Sequence, residues 1–339
     1  NILFFSSLSN FFYNALRVFN YYENEKSIKK NCHRSFGGSN IVYRYCMYQR
    51  RQCCSNAHRK KTITQVVSES PNFSLLKTAV MRAGLTETLN GTAPFTVFAP
   101  DNTAFSSSGI SEQSINSMDV EDLKDVLLYH TLASKIVAAN VPEGPNAEVN
   151  TVNGKKLYVT KDSRSVFVNG WKVESADIAA SNGVIHSIER VLMPAMGTIV
   201  QTAQSNDDMT FLVAAVLRAS EGSTNVANVL SAEGNMTVFA PTNQAFINAG
   251  FPTIASIQNA DPDMLAGILT YHVLEARVFS SDFRNGATLK TLNGGNLMIA
   301  LGSQATVKGN GNTSPSAISS MNIMATNGVI HVIDSVLLP

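Results

Sequence analysis

The sequence contains no long hydrophobic run and, beyond its first sixty-one residues, no cysteine. No stretch reaches 18 consecutive apolar residues, which argues against a membrane-spanning helix. The cysteines are Cys32, Cys46, Cys53 and Cys54, so the rest of the chain forms no disulfide framework and offers no thiol nucleophile. Charged residues are also scarce, at 15% against 44% hydrophobic residues. That balance is typical of a globular protein and not of a disordered chain.

Catalytic motifs are missing from the body of the chain as well. It has no G-x-S-x-G elbow, no H-E-x-x-H pair and no phosphate-binding loop. Carboxylate pairs do occur, at Glu121-Asp122 and Asp207-Asp208, but they lie at expected helix starts, where the helix dipole favours negative charge. We therefore predict a protein that is not an enzyme and that needs no cofactor or metal ion.

The net charge of +1 hides an asymmetry between two parts of the chain. Residues 1–61 contain 11 basic and two acidic side chains, a net charge of +9, whereas the remainder carries −8. An acidic body has no basic stripe of the kind that phosphate backbones require, so we expect no nucleic-acid partner.

The first sixty-one residues have an unusual composition and no sustained helical or strand periodicity, so we expect no folded domain there. Three interpretations compete for this segment. The cysteines with His33 and His58 could form a metal site, although their spacing fits no zinc module. The segment could be a basic tail that binds nucleic acid or a membrane. We favour a third interpretation, a non-native stretch that stands where a secretion signal or lipoprotein leader is expected.

One series of motifs occurs twice in the remaining chain. A run ending in Val-Phe-Ala-Pro, a Tyr-His pair and an Asn-Gly-Val-Ile-His segment recur in the same order, 141 to 145 residues later. Such a repeat indicates two domains. We place them at residues 62–194 and 197–339, joined by Ala195-Met196, and expect so short a joint to limit their relative motion. The motifs lie at 95–100, 129–130 and 182–186, and again at 236–241, 271–272 and 327–331.

Helix signals precede strand signals in each unit. Apolar residues from Leu75 to Ala83 lie on one helical face. Asp119 is expected to cap a second helix, and Asp261-Pro262 supplies a cap and a favoured first residue for its counterpart. This order predicts an α+β class, in which a mostly antiparallel β-wedge or sandwich packs against several helices.

Turn signals separate the strands that follow. Short β-prone runs lie at 157–160 and 166–168, and Asn169-Gly170 after the second run predicts a hairpin turn. Asn182-Gly183 and Asn327-Gly328 predict two further hairpin turns on the same grounds.

The four histidines of the body form two equivalent pairs. His130 and His272 lie on the apolar stripe of a helix, three and four residues after leucine or β-branched positions. His186 and His331 share a strand face with valine and isoleucine. All four are therefore expected to face the core and to make buried hydrogen bonds that hold helix to sheet.

The repeated motifs, in this order, resemble those of the fasciclin (FAS1) family. The Thr-Val-Phe-Ala-Pro-x-Asn-x-Ala-Phe segment, the Tyr-His pair and Asn-Gly-Val-Ile-His each occur twice, and the resemblance covers essentially all of the chain after the first segment. It implies two tandem wedges of β-strands packed with helices, displayed outside the cytoplasm and used in adhesion.

The resemblance also implies candidate binding residues. The family's Tyr-His region points to Tyr129, His130, Tyr271 and His272, and its Asp-Ile pair to Asp177 and Ile178. The second unit has Asn322-Ile323 instead, so only the first could use this pair ionically. The alternative is a purely structural role, in which Asp177 begins a strand and caps or hydrogen-bonds the hairpin. Asn182, Gly183, His186, Asn327, Gly328 and His331 are expected to be structural.

We therefore predict an extracellular, periplasmic or cell-surface adhesion and matrix-binding module that acts by multivalent, non-catalytic contacts. A cell-surface protein, an extracellular polysaccharide and a second copy of the chain are its expected partners. The alternative is a carrier of small molecules or lipids that uses a groove between helices and sheet, lined by flexible residues such as Met321 and Met324.

Overall fold

The computed structural model describes residues 61–91 and 94–339. The four cysteines, His33 and His58 precede this part of the chain, so the three interpretations of the amino-terminal segment fall outside it. The described residues form two similar α+β domains in tandem, as the motif order predicts.

The helices of the first domain lie mainly before the long strands, and those of the second domain repeat the arrangement. In the first domain they are α1 (Ile63–Glu69), α2 (Ser74–Arg82), α3 (Thr86–Leu89), α4 (Asn102–Ser107), α5 (Glu112–Ser117) and α6 (Val120–Tyr129). In the second they are α7 (Ile199–Gln204), α8 (Thr210–Ala219), α9 (Val226–Ser231), α10 (Asn243–Asn248), α11 (Ile254–Gln258) and α12 (Pro262–Tyr271). Short 3₁₀ turns occupy Pro71–Phe73, Ala138–Asn140, Asp207–Met209 and Ser280–Asp282.

Seven strands form one sheet in each domain. The first sheet contains β1 (Phe95–Pro100), β2 (Thr131–Leu132), β3 (Gly144–Asn150), β4 (Lys156–Lys161), β5 (Val166–Val168), β6 (Trp171–Ala180) and β7 (Gly183–Ile188). The second contains β8 (Met236–Pro241), β9 (Val273–Leu274), β10 (Thr288–Lys290), β11 (Asn296–Leu301), β12 (Ala305–Gly309), β13 (Ser316–Ala325) and β14 (Gly328–Ile333).

The strand order is β2-β1-β7-β6-β5-β4-β3, and the second sheet repeats it as β9-β8-β14-β13-β12-β11-β10. Neighbouring strands are antiparallel, as expected, except that β1 pairs in parallel with β7, and β8 with β14. These four strands are buried on both faces, which explains their nearly continuous apolar sequence.

Helix starts follow the capping residues in the sequence. The Asp119 side chain accepts hydrogen bonds from the backbone N–H groups of Glu121 and Asp122 at the start of α6. Asp261 caps α12 through Met264 N–H, with Pro262 as the first helical residue. Each cap satisfies donors that a helix end otherwise leaves unpaired. Among the helices of the described residues, none has the length and apolarity needed to cross a bilayer.

The predicted hairpin turns differ in their local conformation. Asn169 and Gly170 have φ angles of 48° and 80° and join β5 to β6, as the Asn-Gly signal predicts. The turn before β7 consists instead of Ser181 and Asn182, because Gly183 is already paired with Ala180 in the strand. Gly183 is needed for another reason: a Cβ there would lie 2.1 Å from the carbonyl oxygen of Phe95.

Candidate binding surfaces

The two Tyr-His pairs lie in the cores of their domains, at the carboxyl ends of α6 and α12. Tyr129 and Tyr271 have no exposed surface, and His130 and His272 are each 2% exposed. The Tyr129 hydroxyl donates to the carbonyl oxygen of Lys156 at 2.9 Å, and Tyr271 repeats this contact with Asn296 at 2.6 Å. A partner at the folded surface would not touch these side chains, so a direct binding role for them remains only a prediction.

Each histidine of these pairs connects its helix to the segment after the last strand. His130 Nδ1 lies 2.8 Å from the carbonyl oxygen of Val126, and its Nε2 accepts the backbone N–H of Leu192 at 2.9 Å. His272 makes the same contacts with Ile268 and Leu337. Burial lowers the pKa of both imidazoles to about 4, although the backbone hydrogen bond partly opposes it. A neutral ring that donates from Nδ1 and accepts at Nε2 fits this geometry.

The strand histidines support an irregularity in the neighbouring strand. His186 Nδ1 accepts the backbone N–H of Asp177 at 3.2 Å, and its Nε2 lies 2.9 Å from the carbonyl oxygen of Ile136. His331 makes equivalent contacts with Asn322 and Val278. Burial lowers the pKa of His331 to about 4.

Asp177 and Asn322 occupy the same β-bulge in β6 and β13. Their φ angles are 59° and 61°, a left-handed conformation that Asp and Asn tolerate better than most residues. Asp177 Oδ1 accepts the backbone N–H of Ala138 at 3.0 Å, and Asn322 Oδ1 accepts that of Ser280 at 2.8 Å. Asp177 therefore lies inside its strand and caps the turn at Ala138–Asn140, instead of starting the strand or bonding the hairpin.

Exposure separates the two bulges. Asp177 is exposed, whereas Asn322 is only 6% exposed, because the first domain covers it. A Cβ on Gly170 would lie 2.6 to 2.8 Å from the Asn322 side chain, so glycine permits this approach. Ile178 and Ile323, the residues that follow, pack against the helical cores of their domains.

The surface of the second domain around Asn322 forms an interface with the first domain. We call its buried residues Arg277, Phe279, Ser281 and Asn322 the turn face. The opposing residues of the first domain, Asn146, Tyr158, Arg164 and Gly170, form the strand face. Both faces belong to the described residues of one compact unit.

Aromatic and cationic contacts form the centre of this interface. The rings of Tyr158 and Phe279 lie 5.8 Å apart, and the guanidinium carbon of Arg277 lies 4.4 Å from the centre of the Tyr158 ring. Arg277 Nη1 also donates to the carbonyl oxygen of Gly328 at 2.6 Å, and its Nε to Asn235 Oδ1 at 3.2 Å. Burial lowers the pKa of Arg277 from its ordinary value. A cation in this place depends on its hydrogen bonds and the aromatic ring.

Polar contacts surround the centre. Asn146 Nδ2 donates to the carbonyl oxygen of Arg277 at 2.9 Å, and Arg164 Nη2 to that of Ser281 at 2.5 Å. Arg284 Nη2 lies 3.1 Å from Asp162 Oδ2. The hydrogen bond from Arg164 lowers the pKa of Asp162 to about 2. The interface is not predicted by the sequence patterns, although the repeat contains a signal for it, because Met298 occupies the position of Tyr158.

A groove with a volume of about 670 Å³ lies beside the interface. Its apolar lining is rich in methionine, and Trp171 lies there with its ring 5.1 Å from the guanidinium carbon of Arg190. Met321 and Met324 do line a groove, but it runs between the domains and not between the helices and sheet of one domain. The methionines are Met118, Met193, Met196, Met321 and Met324.

No group of three or more His, Cys, Asp or Glu side chains that could hold a metal ion occurs within residues 61–91 and 94–339.

Comparison with known families and proteins matches the fasciclin domain model twice, at residues 71–194 and 208–339. The transforming growth factor-beta-induced protein ig-h3 of Sus scrofa is 30% identical over 280 residues, 82% of this chain and 38% of that protein. Periostin of Homo sapiens is 29% identical over 259 residues, 75% of this chain and 29% of that protein. The chain therefore spans well under half the length of these relatives.

A shorter bacterial relative and one solved structure are also similar. Protein sll1483 of Synechocystis is 41% identical over 137 residues, 40% of this chain and 74% of that protein. A FAS1 domain pair from the insect cell adhesion molecule fasciclin I is 20% identical, with a TM-score of 0.38, and the match covers 80% of this chain and 98% of that one.

Proposed function

Since two matches to the family model cover most of its length, the chain belongs to the fasciclin domain family, and we propose that it is a non-catalytic adhesion and matrix-binding module. It works outside the cytoplasm, in the extracellular space, the periplasm or at the cell surface. Its partners are a cell-surface protein, an extracellular polysaccharide or another copy of the chain.

The observation that carries this proposal is the difference between the two bulges. In the second domain, the cap residue Asn322 and its turn contact another domain. In the first domain, the same arrangement around Asp177 is exposed and keeps its carboxylate. A rigid, charged turn on a folded scaffold is a surface to which a partner can bind without first ordering a loop. We place the binding surface at Asp177. Ile178 fixes the backbone of this surface, because its side chain packs against the helical core.

Two linked domains also suit weak multivalent contacts. Tyr158, Phe279 and Arg277 hold the domains together, so a second contact made by the other domain forms at a high effective concentration. Modest single contacts then sum to useful avidity.

Adhesion of coated beads tests the proposal. Beads that carry the full chain should bind cells or an extracellular polysaccharide, whereas beads carrying heat-unfolded chain should not. Asp177→Asn keeps an oxygen for the cap and removes the charge, and we expect it to weaken adhesion about fivefold or more. Glu233→Gln, which removes an exposed carboxylate of the second domain, is the matched control. Equal adhesion by folded and unfolded chains would contradict the proposal.

The groove between the domains favours a second candidate function, a carrier of apolar small molecules or lipids. Methionine side chains adapt to ligands of different shape, and the volume of about 670 Å³ is in the range of ligand pockets. Organic extraction of the purified chain followed by mass spectrometry should then release a bound apolar compound. Met321→Lys should abolish its retention, while Met264→Lys, at an exposed site in α12, should not. An empty extract from the unaltered chain would count against the carrier.

A further inference from the structure

Each domain has a turn face and a strand face, but only one of each is used inside the chain. Equal hydrogen bonds fix the correspondence of the turn faces: Ile136 N–H donates to Thr96 Oγ1 at 2.8 Å, and Val278 N–H to Thr237 Oγ1 at 2.9 Å. Counting from them, the turn face of the first domain is Lys135, Val137, Ala139 and Asp177. Val137 is half-buried and the other three residues are exposed.

Strand register fixes the correspondence of the strand faces. Val159 pairs with Val168 in the first domain, and Ile299 pairs with Val307 in the second. Tyr158 therefore corresponds to Met298, and Asn169 to Lys308, which is paired with Met298 on the neighbouring strand. Met298 is 50% exposed and Leu301, at the end of the same strand, is 42% exposed. The second domain thus leaves Met298 half-exposed at the position where the first domain buries Tyr158, with Leu301 exposed nearby.

The two unused faces have changed in matching ways. In the internal interface, Asp162 of the strand face pairs with Arg284 beside the turn face. The equivalent positions on the unused faces hold Gly302 and Pro142, so neither unused face has an unpaired charge there. The internal aromatic pair of Tyr158 and Phe279 is replaced by Met298 and Val137, which are both apolar.

The charges at the bulge are complementary. Inside the chain, Gly170 lies against the neutral Asn322, while the neutral Asn169 side chain bonds Tyr129 and Tyr158 of its own domain. On the unused faces, the position of Asn169 holds Lys308 and that of Asn322 holds Asp177. A hollow of about 390 Å³ lies beside the turn that Asp177 caps. Apolar residues such as Ala138 and Val173 line one part of it, and charged residues such as Lys161 and Arg164 line the rest.

We propose that the strand face of the second domain binds the turn face of the first domain in another copy of this chain. The contact follows the centre of the internal interface, with Met298 against Val137 and Lys308 beside Asp177. It differs at the position of Gly170, because Gly309 is covered there by Leu338 of its own domain. It is heterologous, since two different surfaces meet, so each bound copy leaves one face free at either end and rows of molecules grow. This inference rests on the proposed adhesion function and names one partner for its surface.

Sedimentation velocity of the full chain over a range of concentrations tests the proposal. At a chain concentration of about 100 μM, we expect the mean mass to exceed that of a monomer. Higher concentrations are not needed even though a contact of this size is weak. Met298→Glu and Val137→Glu should each weaken self-association about tenfold or more, because each inserts a charge into an apolar contact. Met264→Glu, at a methionine that is 45% exposed on α12, is the matched control and should leave the mass unchanged. A chain that stays monomeric, or variants that associate normally, would overturn the proposal.

A mixing experiment separates this contact from a symmetric one. Met298→Glu retains an intact turn face and Val137→Glu an intact strand face, so an equimolar mixture should form a one-to-one dimer and nothing larger. Circular dichroism should show that both variants are folded. If the mixture stays monomeric although each variant is folded, the two faces do not meet and the proposal is wrong.

The charged pair gives an independent readout. Asp177→Asn preserves the cap geometry that Asn322 displays and should weaken self-association severalfold at low salt, with little effect at high salt. Bead adhesion to cells distinguishes this proposal from the function itself. If Met298→Glu loses self-association and still adheres, adhesion uses another partner; if the unaltered chain self-associates but adheres to nothing, only the adhesion function fails.

Discussion

The two domains place a left-handed residue at the same bulge, yet one is Asp177 in solvent and the other is Asn322 beneath Gly170. Both side chains cap the same kind of turn with the same oxygen. A carboxylate under a close backbone would lose its hydration without gaining a cation, whereas an amide also donates, as Asn322 does to Ser280 Oγ at 2.7 Å. Fold and cap are therefore shared, while the neighbour of each bulge decides whether the position can carry charge.

The two turn faces should differ most in the unfolding free energy that is lost when a basic side chain is removed. Arg277→Ala leaves the carbonyl oxygen of Gly328 without this donor and removes the cation from the Tyr158 ring, which should cost about 3 kcal/mol of unfolding free energy. Lys135→Ala, at the exposed equivalent position, should change it by less than about 0.5 kcal/mol. Urea unfolding measures both values. Similar losses would show that the two turn faces do not differ in their contacts.

Acidification should destabilise both domains through buried histidines. The pKa of His130 in the first domain, and of His272 and His331 in the second, falls from 6.5 to about 4. The unfolded chain therefore binds more protons between these values, so stability falls as the pH drops through this window, by about 2 kcal/mol per histidine between pH 8 and pH 5. Hydrogen exchange of each domain, with Trp171 fluorescence for the first, measures the loss of stability. A domain whose stability does not change between pH 8 and pH 5 would contradict the expectation.

A methyl group on Gly170 should disturb the contact between the domains. Gly170→Ala places a Cβ 2.6 Å from the Asn322 side chain, at a φ of 80°. Gly154→Ala is the control, because its φ is 81° and nothing lies within 4 Å of its Cβ. Each should lose about 1 kcal/mol to the left-handed conformation, and Gly170→Ala about 1 kcal/mol more from crowding. Thermal unfolding compares the two, and identical losses would argue against a tight approach at Gly170.

The smallest effect is expected at the exposed cap. Asp177→Asn should change the unfolding free energy by less than about 0.5 kcal/mol, since Asn322 performs the same capping. Asp177→Ala should cost about 2 kcal/mol, because Ala138 N–H loses its acceptor and alanine is strained at a φ of 59°. Denaturant unfolding of both variants tests this. A loss from Asn as large as that from Ala would show that the charge, and not the oxygen, supports the turn.

Local chemistry explains how much of this fold could be predicted from sequence. The repeat, the caps at Asp119 and Asp261 and the Asn169-Gly170 turn depend on neighbouring residues. Apolar spacing also placed all four histidines in the core. The Asn182-Gly183 signal was misinterpreted as the turn itself, because the glycine is required by the distant carbonyl of Phe95.

Contacts between distant segments were not predictable in the same way. The apolar runs of β1 and β7 indicate that both strands are buried, but not that they pair with each other in parallel. The turn capped by Asp177 is nearly forty residues earlier in the chain. The interface could have been suspected from corresponding positions of the two domains that hold different residues, such as Tyr158 and Met298. The repeat shows which residues of the two domains correspond. Which of those residues are buried depends on how the two domains pack against each other.

The parallel pairing of β1 with β7 also bears on how the protein is made. Phe95 finds its strand partner only when Gly183 has been synthesised, so the first sheet stays open until the end of its own domain emerges from the ribosome. Every helix of that domain is available earlier, since α6 ends at Tyr129. During synthesis, β1 therefore has at most the short strand β2 as a partner until β7 emerges, and one edge of this apolar strand stays unpaired and prone to wrong contacts.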